Sequence, residues 1–208
     1  MRRRQSGAIV ALAISAGFLA ACSSDNSAGS QLSQSVPPSS QQQKTSASPT
    51  LTASKLQPPS QDNNRFNGER PKVVVDPCTW ISDDAVARIG FDPSTRKRGN
   101  DIVGEYVFLT CDFSTPERTL QLDSGNVTLD EVKRKYDGKT QPLNISGREA
   151  VMTHKTNADE CSLDMRTNAG YLGLSFIVHT PGKSKGINSC DDIVEAATIL
   201  EPSIGKEN

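Results

Sequence analysis

The chain has 208 residues, 23 Lys+Arg against 24 Asp+Glu, and only 5% aromatic residues, which leaves room for one ordinary domain and some extra chain. Without Arg2, Arg3 and Arg4 the balance becomes 20 basic to 24 acidic residues, mildly acidic. That excludes the strongly basic footprint of a nucleic-acid binder, so no nucleic-acid partner is expected.

Residues 1–21 carry the three parts of a signal peptide. Arg2-Arg3-Arg4 form a positive start, Ala8 to Leu19 an apolar stretch, and small residues follow. The apolar stretch is shorter than the roughly 20 residues of a membrane-crossing helix. Leu19-Ala20-Ala21-Cys22 resembles the lipobox of bacterial lipoproteins. The resemblance implies that Cys22 becomes the mature N-terminus, with a diacylglycerol on its sulfur and a further acyl chain such as palmitate on its amine. Two or more chains anchor a protein stably where one is marginal. The expected location is the outer, extracytoplasmic face of the cell membrane.

From Cys22 to residue 72 the chain is crowded with Ser, Gln, Pro and Thr, and its first aromatic residue is Phe66. Such a composition buries too little apolar surface to offset its ordering entropy, so a disordered tether is predicted. Residues 73–202 are expected to form the globular domain, and 203–208 a flexible tail.

Within the domain, Ser82-Asp83-Asp84 caps a short helix over 83–89, with Ile81 and Val86 placed as a hydrophobic staple and Gly90 at its end. Then Val107, Leu109, Cys111 and Phe113 alternate with Tyr106, Phe108, Thr110 and Asp112, the clearest strand of the chain. A second strand spans 119–127, with Leu120 and Leu122 inward. Thr128-Leu129-Asp130-Glu131 is a capping box, and Leu129, Val132 and Tyr136 recur at helical spacing up to Gly138. Strands follow near 150–154, 161–167 and 171–179, the last two around a hairpin turn at Asn168-Ala169-Gly170. Ser189-Cys190-Asp191-Asp192 opens a final helix whose buried stripe is Ile193, Ala196, Ala197 and Leu200, stopped by Pro202. The order α-β-β-α-β-β-β-α predicts an α+β fold, an antiparallel sheet with packed helices. The element order also resembles the Mog1/PsbP-like fold.

Four cysteines remain besides Cys22. An even set in an exported domain predicts two disulfides, with three pairings open. The pairing taken is Cys78–Cys111 and Cys161–Cys190, each closing about thirty residues and worth roughly 3–4 kcal/mol. No two cysteines stand at the spacing of a structural zinc site, so neither metal nor cofactor is expected.

Asp76-Pro77-Cys78-Thr79-Trp80 before a short helix, then Cys111-Asp112-Phe113 and a distant cysteine pair, stand behind the lipobox and tether. Together they resemble the uncharacterised lipoproteins of actinobacterial cell envelopes, similar to the mycobacterial LprB and LprC group. The resemblance implies location and architecture and brings no catalytic residues.

Motifs for chemistry are sparse. His154 and His179 both fall near strand ends, where a satisfied polar role is the expectation. Ser94-Thr95-Arg96-Lys97 has the Ser-x-x-Lys spacing of penicillin-binding enzymes, but it follows Pro93 in a loop and no Lys-Thr-Gly element accompanies it. Arg96-Lys97-Arg98, with Tyr106 and Phe108 on the face away from the core, is the candidate surface for an envelope lipid, a wall polymer or a protein partner. Three roles compete: a non-catalytic binding module, which leads, an envelope enzyme, and an accessory subunit of a membrane complex. Paired carboxylates in a pocket would mark the enzyme, a dry apolar groove the binding module, and a flat aromatic patch the scaffold.

Overall fold

The alternation around Cys111 becomes the centre of the architecture. A computed structural model describes residues 51–62, 70–154 and 161–208, all within one compact unit spanning residues 45–208. In chain order the elements are α1 (Pro77–Trp80), α2 (Asp83–Arg88), β1 (Lys97–Arg98), β2 (Ile102–Val103), β3 (Val107–Ser114) and β4 (Arg118–Gly125). Then come α3 (Leu129–Lys135), β5 (Thr140–Ile145), β6 (Arg148–His154), β7 (Cys161–Arg166), β8 (Tyr171–Val178), α4 (Thr180–Ser184) and α5 (Ile193–Leu200).

All the strands join one antiparallel sheet. Its order is β1-β3-β4-β8-β7-β6-β5, with β2 pairing the other end of β3. Two hairpin-built blocks therefore meet along the seam between β4 and β8. The chain changes block after β4 by way of α3. This α+β architecture with its two disulfides is the predicted fold class. β5 escapes a sequence reading because Pro142 sits inside it; β5 is an edge strand, where a missing amide donor is tolerated.

The sheet has two unlike faces. Cys111, Phe113, Leu120, Leu122, Leu163, Met165, Leu172, Leu174 and Phe176 point to the main core. There they meet Cys78 and Ile81 beside α1, Val86 of α2 and the predicted stripe of α5. On the other face α3 packs, its Leu129 and Val132 against Val151, with Tyr136 and Tyr171 at the border. The expected capping box of Thr128 and Glu131 forms. Arg70 clamps the same helix end, donating to both oxygens of Glu131 at 2.6 and 3.0 Å and to the Asn126 carbonyl at 2.9 Å. The Arg70 hydrogen bonds hold the Glu131 carboxyl down at about 2.

The two predicted disulfides are present, Cys78–Cys111 and Cys161–Cys190. Two other expectations need correction. First, the last part of the expected tether packs on the domain. Leu51 donates to the Thr79 carbonyl at 3.0 Å, Leu56 is buried in the core, and Gln61 exchanges two hydrogen bonds with Val73. Local composition could not show this, because the partners lie on distant elements. Second, the expected flexible tail at 203–208 is held. Ile204 is fully buried, and Arg148 donates to the carbonyls of Gly205 and Asn208 while pairing with Glu201 at 3.0 Å. The final helix starts where expected, directly after Asp192, which enters it with φ 63°.

The basic triplet is also corrected. Arg96 is buried, pairing with Asp83 at 2.7 Å and donating to the Cys78 carbonyl at 3.2 Å. Arg98 reaches Asp76 at 2.7 Å, Asp101 at 3.1 Å and the Leu56 carbonyl. Alternation along β1 sends these two arginines inward and leaves Lys97 outward. Replacing Arg98 by Met would strand two largely buried carboxylates. The expected loss is about 3–5 kcal/mol in denaturant unfolding, against less than about 0.5 for the exposed Lys97→Ala.

Candidate functional site

The part of the second face that α3 leaves open forms a cleft of about 400 Å³. Its floor is β3, β4 and β8, and its rim the turn through Gly99 and Asn100 with Ile102. Register decides its lining. Asp112 of β3 lies between Lys97 of β1 and Gln121 of β4, and Thr110 lies opposite Asp123. One residue pair further, Phe108 stands opposite Gly125, which in turn faces Tyr171 of β8.

Glycine makes the aromatic end possible. A Cβ on Gly125 would come within 2.7 Å of the Phe108 ring. With no side chain there, the rings of Phe108 and Tyr171 lie across the strand, 6.4 Å apart and tilted by 51°. Gly173 does the same next door, where a Cβ would meet the Asp164 carboxylate at 2.5 Å and the Tyr171 ring at 3.1 Å.

The other end is polar. The Thr110 hydroxyl donates to Asp123 at 2.7 Å, and the Thr110 amide donates to Asp101 at 2.8 Å. Burial pushes the Asp112 carboxyl up, while a hydrogen bond with Gln121 and the Lys97 charge pull against it. Its Oδ1 is buried and has no hydrogen-bond partner. Burial, then Asp164 and Asp123, push the Tyr171 phenol up as well. Among the described residues, the three buried side-chain oxygens or nitrogens without a partner are Asp112 Oδ1, Thr153 Oγ1 and Ser162 Oγ. All three belong to this face of the sheet, because their strand neighbours face the core. Of the three, Asp112 lines the cleft.

The predicted surface residues divide. Phe108 and Lys97 line the cleft, and Arg98 contributes to its wall while its guanidinium faces the other way. Tyr106 stays outside, 38% exposed, with the Arg70 guanidinium 4.5 Å over its ring. Arg96 is absent from it. Sequence reading missed Asp112, Gln121, Asp123 and Tyr171 as site residues. The same alternation that marked the inward residues marks these as their outward neighbours, but which strands adjoin is a matter of topology. Of the histidines, His179 is a satisfied polar residue, within 3.0 Å of the Thr119 hydroxyl and 3.3 Å of the Pro116 carbonyl. His154 stands 3.7 Å from Cys190 Sγ. Cys22 lies outside the described residues.

Compared with known proteins, residues 17–203 match the family model DUF3558, described as a protein of unknown function. The chain belongs to the DUF3558 family. No curated protein and no solved structure matches it. The match begins within the apolar stretch of residues 8–19 and ends at residue 203. Among the described residues, no helix is long and apolar enough to cross a membrane.

Asp112 keeps a proton more readily in the folded state than in the unfolded one. The stability this provides is present at low pH and is lost as pH rises through the raised value. Asp112→Asn should therefore stabilise the domain at neutral pH, because the amide carries no charge to desolvate. The gain should shrink as pH falls through the carboxylate range, as thermal unfolding across pH 3–8 would record.

Proposed function

We propose that this DUF3558 member is a lipid-anchored lipoprotein of the cell envelope, held by Cys22 to the outer face of the membrane, whose domain binds a polar envelope ligand without transforming it. The observation that carries the binding reading is the unpartnered, buried Asp112 Oδ1 in the cleft. A carboxylate oxygen kept without a hydrogen bond costs stability, which makes sense if a ligand donates the missing bond. The two ends of the cleft suit a neutral sugar of a wall or envelope glycan. Hydroxyls would donate to Asp112 and Asp123, and the C–H face of the ring would rest on Phe108 and Tyr171. The lipobox and the resemblance to actinobacterial envelope lipoproteins support the location.

One observation favours a second reading. Asp112 and Asp123 are two carboxylates in one cleft with different surroundings, the mark set above for an enzyme. Such a pair is what glycoside cleavage uses, one group as acid and the other as base or nucleophile. One feature favours binding: Asp123 is committed to Thr110.

Titration of the labelled full chain with maltotriose, followed by NMR, separates these readings. Binding should shift the amides of residues 108–112, 121–123 and 171, and Asp112→Ala should weaken it about tenfold or more. Release of shorter sugars that Asp112→Asn abolishes would establish the enzyme. Absence of shifts with maltotriose and also with spermidine, a cationic probe for the same carboxylates, would overturn the cleft as a ligand site. For the anchor, Cys22→Ala should move the protein out of the detergent-extracted membrane fraction. An unchanged, acylated protein in that variant would refute it.

A further inference from the structure

The two disulfides are built differently. Cys78 and Cys111 are both wholly buried beneath α1. Cys161 is buried, but Cys190 is half-buried, and its sulfur is met from the solvent side by the exposed His154. His154 is the direct cross-strand partner of Cys161, so sheet register itself brings the imidazole to the bridge. His154 Nδ1, Cys161 Sγ and Cys190 Sγ all lie within 4.8 Å of one another.

We propose that this corner is a zinc site once the Cys161–Cys190 bridge has been reduced. The argument is from ligand chemistry and reach. Two thiolates and an imidazole are the donors zinc prefers. Bond lengths of about 2.0–2.3 Å in a tetrahedron place donors roughly 3.5–3.8 Å apart. His154 Nδ1 already stands 3.7 Å from Cys190 Sγ, and opening the bridge lets the two sulfurs separate to that distance. Three protein ligands leave the fourth position for water or another donor. No pair of cysteines has zinc-like spacing along the chain, which is why the sequence expectation was no metal.

The electron balance needs a dithiol reductant. One of its thiolates attacks Cys190 Sγ, the accessible sulfur; the S–S bond breaks and Cys161 leaves as a thiolate. The second external thiolate then displaces Cys190 and closes the reductant's own disulfide, so two electrons have passed to the protein. Zinc binding displaces the protons of the two thiols. The scaffold persists through this exchange. Cys78–Cys111 is out of reach, β7 remains laddered between β6 and β8, and α5 is docked by Ile193, Ala197 and Leu200.

The test uses the full chain with Cys22→Ala, which removes the cysteine outside the two bridges. The accessible Cys161–Cys190 bridge is opened with a water-soluble phosphine under native conditions, the phosphine is removed without air, and Co²⁺ is titrated, followed by Zn²⁺. The expected result is one equivalent of tetrahedral cobalt with a thiolate charge-transfer band, displaced by zinc. The oxidised protein should show neither. His154→Gln should weaken binding at least about tenfold, since even outer-shell losses cost that much. Reduced protein without the cobalt signature, unchanged affinity in His154→Gln, or equal binding by the oxidised protein would each overturn the site. So would loss of the sheet's circular-dichroism signal on reduction, because the site requires the folded scaffold.

Discussion

The Arg98 guanidinium is the contact on which this fold most depends. It is the meeting point of Asp76, Asp101 and the Leu56 carbonyl, three groups from separate parts of the chain. Asp76 at the same time caps α1, accepting from the Thr79 amide at 2.9 Å. Asp101 at the same time accepts from Thr110 in β3. One cation thus fixes the entering segment, the first helix and the turn that forms the rim of the cleft. Its charge is tolerable in the interior only because each partner is already held by something else. Arg96 repeats the design two residues earlier, with its guanidinium 4.7 Å over the Phe113 ring and its charge met by Asp83.

The sheet divides its labour between faces. The core face is closed by three helices and both disulfides. The second face is closed over β6 and β7 by α3, which is fastened by ion pairs at its two ends, Arg70–Glu131 and Lys133–Glu149. Because α3 is only seven residues long, it cannot also cover β3 and β4. The open cleft is what remains. Tyr171 belongs to both territories, packing against the α3 cluster on one side and Phe108 on the other.

Much of this was legible in the sequence where the cause is local. The capping box at Thr128, the alternation of β3, the stripe of α5 and the two bridges all follow from residues close together or from cysteine parity. The rest depends on partners far along the chain. Nothing near Leu56 says that Arg98 will bind its carbonyl, and nothing near Ile204 says that Arg148 will hold the tail. The triplet Arg96-Lys97-Arg98 misled for the same reason: it looks like solvated charge until β1 is known to turn alternate side chains inward. The cleft was half visible, since Phe108 and Lys97 were singled out. Gln121, Asp123 and Tyr171 join them only through the β3–β4–β8 pairing. His154 and Cys190 are 36 residues apart and meet through register and the entry to α5.

Gly125 lends the family a marker readable without any structure. The Phe108 ring at the apolar end of the cleft rests in the space its missing side chain leaves. A relative with valine or threonine at the equivalent position would carry its own plug, lifting the Phe108 ring and filling the floor. Divergence within the DUF3558 family can then be sorted by this one residue into open and sealed members. Retention of Asp112 should track the open group, since a sealed domain has no reason to keep an acceptor that nothing reaches.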